Sequence, residues 1–265
     1  MSHDLYTLQR GHTPLLISMP HVGTQLPPQQ RARYTERALQ VEDTDWFLDR
    51  LYAFAATMGA SLLVPQMSRY LIDLNRPSDH QPMYAGQNNP ELCPTRHFTS
   101  HAIYRDGQAP DDAEVRRRVL AYWQPYHDAL QEELTRLKAE HGHAVLLDAH
   151  SICSELPWLF EGRLPHMNVG TAGGVSCAPS LREQVHAVFA AQSEFTHVMD
   201  GRFKGGFITR EYGRPADGVH AVQLEMCWRA YMDEGPPAGW SDAQAAAVTP
   251  LLRQLVQALL GWRPK

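Results

Sequence analysis

Two short apolar runs each carry a histidine at their downstream end, and this repetition constrains the fold more than any other feature of the chain. The first is Leu15-Leu16-Ile17-Ser18-Met19-Pro20-His21; the second is Ala144-Val145-Leu146-Leu147-Asp148-Ala149-His150-Ser151. Such runs read as buried strands, and an open α/β sheet builds its sites just beyond the carboxyl ends of its strands. Two imidazoles delivered there can share one metal ion, because histidine is the commonest protein ligand for zinc. Either histidine alone would equally well hydrogen-bond a neighbouring loop; their common context favours the metal.

Composition narrows the class. Of the 265 residues, 43% are hydrophobic, enough to fill the core of a large domain. The formal net charge of -5 opposes a nucleic-acid binder that works by bulk phosphate attraction. Met1-Ser2-His3-Asp4-Leu5-Tyr6 lacks the basic start and apolar core of a signal peptide. No segment stays apolar for the roughly 18 residues of a spanning helix, so a soluble cytoplasmic protein without membrane partners is expected. Cys93, Cys153, Cys177 and Cys227 are widely separated, which predicts reduced, structural thiols rather than a zinc ribbon or redox pair.

Periodicity predicts an amphipathic helix over 44–59, with Phe47, Leu51, Phe54, Ala55 and Met58 on one face. Asp43 or Thr44 can cap its start and Gly59 can end it. Extended stretches follow over 60–64 and 70–74, then an aperiodic loop over 80–110. Asp111 and Asp112 cap a long helix reaching Glu140, which Pro125 should kink or split. A loop over 157–174, a helix over 181–191, a buried strand over 219–227 and a closing helix over 241–260 complete the pattern. Strands alternating with helices predict an α/β fold with a mixed or largely parallel sheet. The sequence contains no repeat or linker, so one domain over residues 1–265 is expected.

A hydrolytic zinc site needs three protein ligands and an open position. His21 and His150 are two candidates; Asp43 and Asp45 both suit the third, although Asp before a helix is commonly only a cap. Glu225 ends the apolar run from Val219, where a carboxylate must be paired, protonated or employed. It suits a general base; a salt bridge to Arg229 or Arg210 would serve equally. In Asp73-Leu74-Asn75-Arg76-Pro77, Arg76 can present a planar fork to a carboxylate, with amide contacts from Asn75, or can pair with Asp73 or Asp79. Arg202, Lys204, Arg210 and Arg214 surround Gly205-Gly206, a second candidate anion site.

Taken together, these segments resemble the N-formylglutamate deformylase (N-formylglutamate amidohydrolase) family of histidine degradation. The resemblance runs through Pro20-His21-Val22-Gly23, Asp43-Thr44-Asp45-Trp46, Ser68-Arg69, Asp73-Leu74-Asn75-Arg76, Leu92-Cys93-Pro94 and Ile103-Tyr104-Arg105-Asp106-Gly107. It continues through Asp148-Ala149-His150-Ser151, Gly205-Gly206-Phe207-Ile208-Thr209-Arg210 and the stretch from Gly218 to Glu225. A more distant likeness extends to zinc carboxypeptidases and to deacylases of acidic N-acyl amino acids. Those relatives carry a glutamate three residues after the first histidine, where this chain has Thr24. The resemblance therefore leaves the third ligand open between Asp45 and Asp43, and Asp45 is nominated first.

The resemblance implies a three-layer α/β/α sandwich of the zinc-exopeptidase (phosphorylase/hydrolase-like) type. It implies a metal-dependent amidohydrolase acting on a linear amide, with one divalent ion, zinc by preference, on His21, Asp45 and His150. Glu225 would handle the proton of the attacking water and Arg69 would steady the oxyanion. The small-molecule substrate, N-formyl-L-glutamate, carries two carboxylates for Asn75, Arg76, Arg210 and Arg214, with Arg210 favoured over Arg214. Deacylation of another acidic N-acyl amino acid and metal-free carboxylate binding are the competing readings. Sequence sets no oligomeric state.

Overall fold

The computed structural model describes residues 5–79, 91–235 and 238–264. Its centre is a seven-stranded sheet of β1 (Tyr6–Gln9), β2 (Leu15–Ser18), β3 (Ser61–Pro65), β4 (Ala144–Ile152), β5 (Met167–Gly170), β6 (His197–Met199) and β7 (Val219–Cys227). The strand order is β1-β3-β2-β4-β7-β5-β6. β3, β2, β4 and β7 run parallel, as do β5 and β6; β1 pairs antiparallel with β3, and β5 antiparallel with β7. The sheet is thus mixed and largely parallel, as expected.

Helices cover both faces. They are α1 (Pro28–Arg31), α2 (Leu48–Leu51), α3 (Phe54–Thr57), α4 (Asp112–Arg118), α5 (Gln124–His141), α6 (Pro179–Ala190), α7 (Phe207–Tyr212) and α8 (Asp242–Gly261). Because strand side chains alternate, Leu15, Ile17, Val145, Leu147, Val222 and Leu224 bury against α2, α3, α6 and α8. Leu16, Leu63, Leu146 and Ala221 face α4, α5 and α7. Burial on both faces explains why β4 and β7 read as continuous apolar runs. The same alternation sends Asp148 and His150 to the α5 side, together with Gln223 and Glu225 of the adjacent strand. In that parallel register His150 stands beside Glu225 and Asp148 beside Gln223.

Several local expectations need correction. The helix expected over 44–59 forms as two short ones: Phe47, with a left-handed backbone (φ 60°), delays the start to Leu48, and Tyr52, at φ -90° and ψ 1°, closes α2 before α3 begins. Its stop at Gly59 is as expected, with φ 89°. The 70–74 stretch is no strand. Its carbonyls are taken by side chains instead: Tyr34 Oη donates to Tyr70 at 3.0 Å, Arg118 Nη1 to Leu71 at 2.8 Å and the His127 Nε2–H to Leu74 at 2.9 Å. The loop expected over 157–174 contains β5. Part of the expected 80–110 loop, residues 80–90, lies outside the described residues.

Pro125 does not split the long helix. Asp111 caps α4 by accepting from Glu114 N at 2.8 Å, and one π turn, Val119–Trp123, joins α4 to α5. That turn contains Ala121, the residue whose carbonyl a regular helix would press against the Pro125 ring. Gly142, at φ 77°, ends α5 as a left-handed cap. No helix among the described residues is long and apolar enough to cross a membrane.

Candidate active site

β2 and the turn through Met19 and Pro20 deliver His21, and β4 delivers His150; their ring centroids lie 4.8 Å apart. Asp45 reaches both. Its amide donates to the His21 carbonyl at 3.0 Å, and its Oδ2 accepts from Ser151 N at 3.1 Å. That same Oδ2 stands 3.0 Å from His150 Nδ1 and 3.7 Å from His21 Nδ1. His21, Asp45 and His150 are all buried, and one ligand atom from each lies within 4.8 Å of the others.

The far nitrogen of each ring is held by a carboxylate. Asp73 Oδ1 is 2.7 Å from His21 Nε2, and Asp148 Oδ1 is 2.9 Å from His150 Nε2. Asp73 is fixed in turn by Arg69 Nη2 at 2.7 Å and by Asn75 N at 2.8 Å; Asp148 accepts from Thr209 Oγ1 at 2.9 Å. Carboxylates on both Nε2 atoms turn both Nδ1 atoms toward Asp45, the outer arrangement that orients metal-ligating imidazoles. Tetrahedral bonds of about 2.0–2.1 Å place neighbouring ligand atoms about 3.4 Å apart. The two separations from Asp45 Oδ2, 3.0 Å and 3.7 Å, bracket that spacing, and a donor atom from each of the three residues lies within 4.8 Å of the others, a somewhat wider set than the bound geometry. The donor set therefore fits a divalent cation.

Electrostatics agree with the geometry. Burial opposes charge on His150, yet Asp148 and Asp45 override it and hold the imidazole well above its usual pKa. Burial likewise works against ionised Asp45, but His21 and His150 pull it well below the carboxylate range. Two imidazoles and a carboxylate so placed form a preorganised cation site. Asp43 differs: burial pushes it up to about 6, its Oδ2 accepts from Phe98 N at 2.9 Å, and it lines a neighbouring depression.

The site opens into a cleft of about 90 Å³ lined by His21, Asp45, Arg69, Asn75, Arg76, Phe98, His150, Ser151, Ile152, Leu159, Arg202, Phe203, Gly206, Gln223 and Glu225. Glu225 is buried, and burial pushes its pKa up to about 8. Among the described residues, no side chain or amide is within hydrogen-bonding or ion-pair distance of its carboxylate. Arg229 Nη2 donates to the Leu164 carbonyl and Arg210 Nε to that of Gly205.

Seven of the candidates read from sequence, His21, Asp45, Arg69, Asn75, Arg76, His150 and Glu225, line this one cleft. Arg210 and Arg214 do not. Arg210 lies on α7; Arg214 pairs with Glu211 and borders a separate depression with Lys138 and Asp217. Arg202 of the same basic segment does line the cleft, its Nη2 donating to the Leu159 carbonyl at 2.7 Å. Sequence reading had missed the orienting roles of Asp73 and Asp148, although Asp148 two residues before His150 on a strand shares its face. Gly206 is required locally: a Cβ there would come within 2.3 Å of Asn75 Nδ2, which lies 2.8 Å from His150 Nε2.

Residues 13–232 match the N-formylglutamate amidohydrolase family. This chain belongs to that family. An N-formylglutamate deformylase of Pseudomonas aeruginosa is 48% identical over 98% of this chain and 97% of its own length. Another from Pseudomonas putida is 45% identical over 97% and 96%. The crystal structure of N-formylglutamate amidohydrolase from Ralstonia eutropha JMP134 superposes with a TM-score of 0.80 at 24% identity, over 97% of this chain and 96% of that one. The family match spans both histidines, Asp45 and Glu225.

Proposed function

We propose that this chain hydrolyses the formyl amide of N-formyl-L-glutamate to formate and L-glutamate, the deformylation step of histidine degradation. It does so with one divalent cation, zinc by preference, on His21 Nδ1, His150 Nδ1 and Asp45 Oδ2. The observation that carries this reading is the buried convergence of two imidazoles and a carboxylate beside Glu225, in a cleft bordered by arginines. A nitrogen and oxygen donor set of this kind with an open side suits zinc. When bound, the cation supplies Lewis acidity at the formyl oxygen and acidifies the attacking water.

The chain supplies the rest. Glu225, whose carboxylate is engaged by no described residue, takes the proton of the attacking water and returns it to the leaving nitrogen. Arg69, held between Asp73 at 2.7 Å and Asp45 at 3.8 Å, presents a fixed positive charge to the developing oxyanion. Asn75, anchored by Ile208 N at 2.7 Å, keeps its amide beside His150 and the substrate arm. Arg76, in the segment after β3, and Arg202, in the segment after β6, both line the cleft and receive the two carboxylates of the substrate.

The arginines provide a test of substrate binding. Arg202→Ala raises KM for N-formyl-L-glutamate about tenfold or more, while Arg214→Ala leaves it within about twofold. Arg76→Lys also raises KM, because lysine keeps the charge but loses the bidentate fork. Steady-state kinetics on the three variants check this. An unchanged KM in Arg202→Ala removes that residue from the substrate arm.

A further inference from the structure

The strap Tyr70–Arg76 carries Asp73, which orients His21, as well as Asn75 and Arg76, yet belongs to no strand or helix. Its last two anchors come from the helical segment behind it. Trp123 Nε1 donates to the Arg76 carbonyl at 2.9 Å, and the His127 Nε2–H donates to the Leu74 carbonyl at 2.9 Å. The two rings stack with centroids 3.7 Å apart, and Tyr212 Oη at 2.9 Å donates to His127 Nδ1. That bond fixes the tautomer needed toward Leu74. Arg76 precedes Pro77, which has no N–H and restricts the backbone before it. The strap end therefore has a stiff backbone and one indole to fix its direction.

The π turn bears on why the indole is there. Trp123 is the last residue of that turn. Omitting the extra residue of a π turn would rotate everything after it by about 100° relative to what precedes, at 3.6 residues per turn. Trp123 and the α4 anchor Arg118, which holds the Leu71 carbonyl at 2.8 Å, could not then both face the strap. π turns recur at functional sites for this kind of re-aiming.

We infer that Trp123 and His127 are positioning residues for substrate binding: through the strap carbonyls they set where Asn75 and Arg76 point into the cleft. The inference rests on the reading that Arg76 grips a substrate carboxylate. Neither ring lines the cleft; the hydrogen bond each makes toward it ends on a strap carbonyl. Burial pushes the His127 pKa down to about 3, so the ring is neutral at neutral pH.

Trp123→Phe keeps an aromatic ring against His127 and removes only the indole donor. In the metal-loaded protein this variant raises KM for N-formyl-L-glutamate about fivefold or more, with kcat within about twofold and bound metal unchanged. KM does not depend on the folded fraction, so a merely structural role would leave it alone. The double variant Trp123→Phe with Arg76→Ala shows a KM no higher than Arg76→Ala alone, because the two changes act on one contact. Tyr212→Phe, which loosens the His127 tautomer, gives a smaller rise of about two- to threefold and serves if the first variant does not fold. Calorimetric binding of L-glutamate follows the same ranking and is independent of turnover. Absence of hydrolysis by the wild type would therefore overturn the assigned reaction, while the L-glutamate affinities still decide the positioning role. An unchanged KM and glutamate affinity in Trp123→Phe, or KM increases that multiply in the double variant, overturns the inference.

Discussion

Replacing Glu225 with glutamine lowers turnover by about 10²- to 10⁴-fold while bound metal and KM stay near wild type. The amide has the shape of the carboxylate and lacks only its basicity. No ion pair is broken by the change, since no described residue pairs with the carboxylate. Stability moves the other way. In the metal-free protein burial raises the Glu225 pKa from 4.5 to about 8. An acid whose folded pKa lies above its unfolded one weakens folding as pH rises between the two values, here from 4.5 to about 8. Glutamine does not titrate and removes that loss. The metal-free glutamine variant is therefore at least as stable as wild type at pH 8, and its relative advantage is smaller at pH 5. Thermal melts at the two pH values check the sign. A variant that melts earlier and keeps most of its turnover per folded molecule would mark Glu225 as a structural partner instead.

His150→Ala abolishes metal binding and lowers turnover by about 10³-fold or more, because it removes one donor and the group that separates two buried carboxylates. Asp45 and Asp148 lie 3.0 Å and 2.9 Å from the two imidazole nitrogens and lose a common partner. His21→Ala acts in the same direction. Asp45→Asn also loses the metal, whereas Asp43→Asn keeps it, since Asp43 serves the Phe98 amide and stands outside the cleft. Asp148→Asn retains the ligand and weakens metal affinity about 10- to 100-fold by loosening the ring. Elemental analysis of the purified variants reads these outcomes. Full occupancy in His150→Ala would rule out the site.

The parts legible in the sequence are those where local pattern and burial coincide. β4 and β7 read as strands because both their faces are covered, and their ends hand His150 and Glu225 to one edge of the sheet. β1, with alternating half-buried residues, and β6, three residues long at the far edge, lack such a signal. The Tyr70–Arg76 strap has strand-like composition, but its carbonyls are claimed by side chains from three distant segments. No window of sequence contains that information. Asp45 and Asp43 are two residues apart and chemically identical; only the fold decides which one faces both imidazoles. Arg202 enters the cleft because the segment after β6 crosses back to β7, where Gly206 N donates to Gln223 Oε1 at 2.6 Å. Arg210, on α7, and Arg214, after it, belong to the same basic stretch but are not among the residues lining the cleft.

The central claim is that a cation on His21, Asp45 and His150 together with the Glu225 carboxylate cleaves a formyl amide. The most direct measurement is formate and L-glutamate release from N-formyl-L-glutamate by protein stripped of metal and by protein reconstituted with one equivalent of zinc. N-acetyl- and N-succinyl-L-glutamate run in parallel to test the acyl group. The account predicts equal amounts of formate and L-glutamate from the reconstituted protein, little from the stripped protein, and slower release from the larger acyl substrates. Metal-replete protein that releases no formate, or release that is unaffected by stripping the metal, would contradict it.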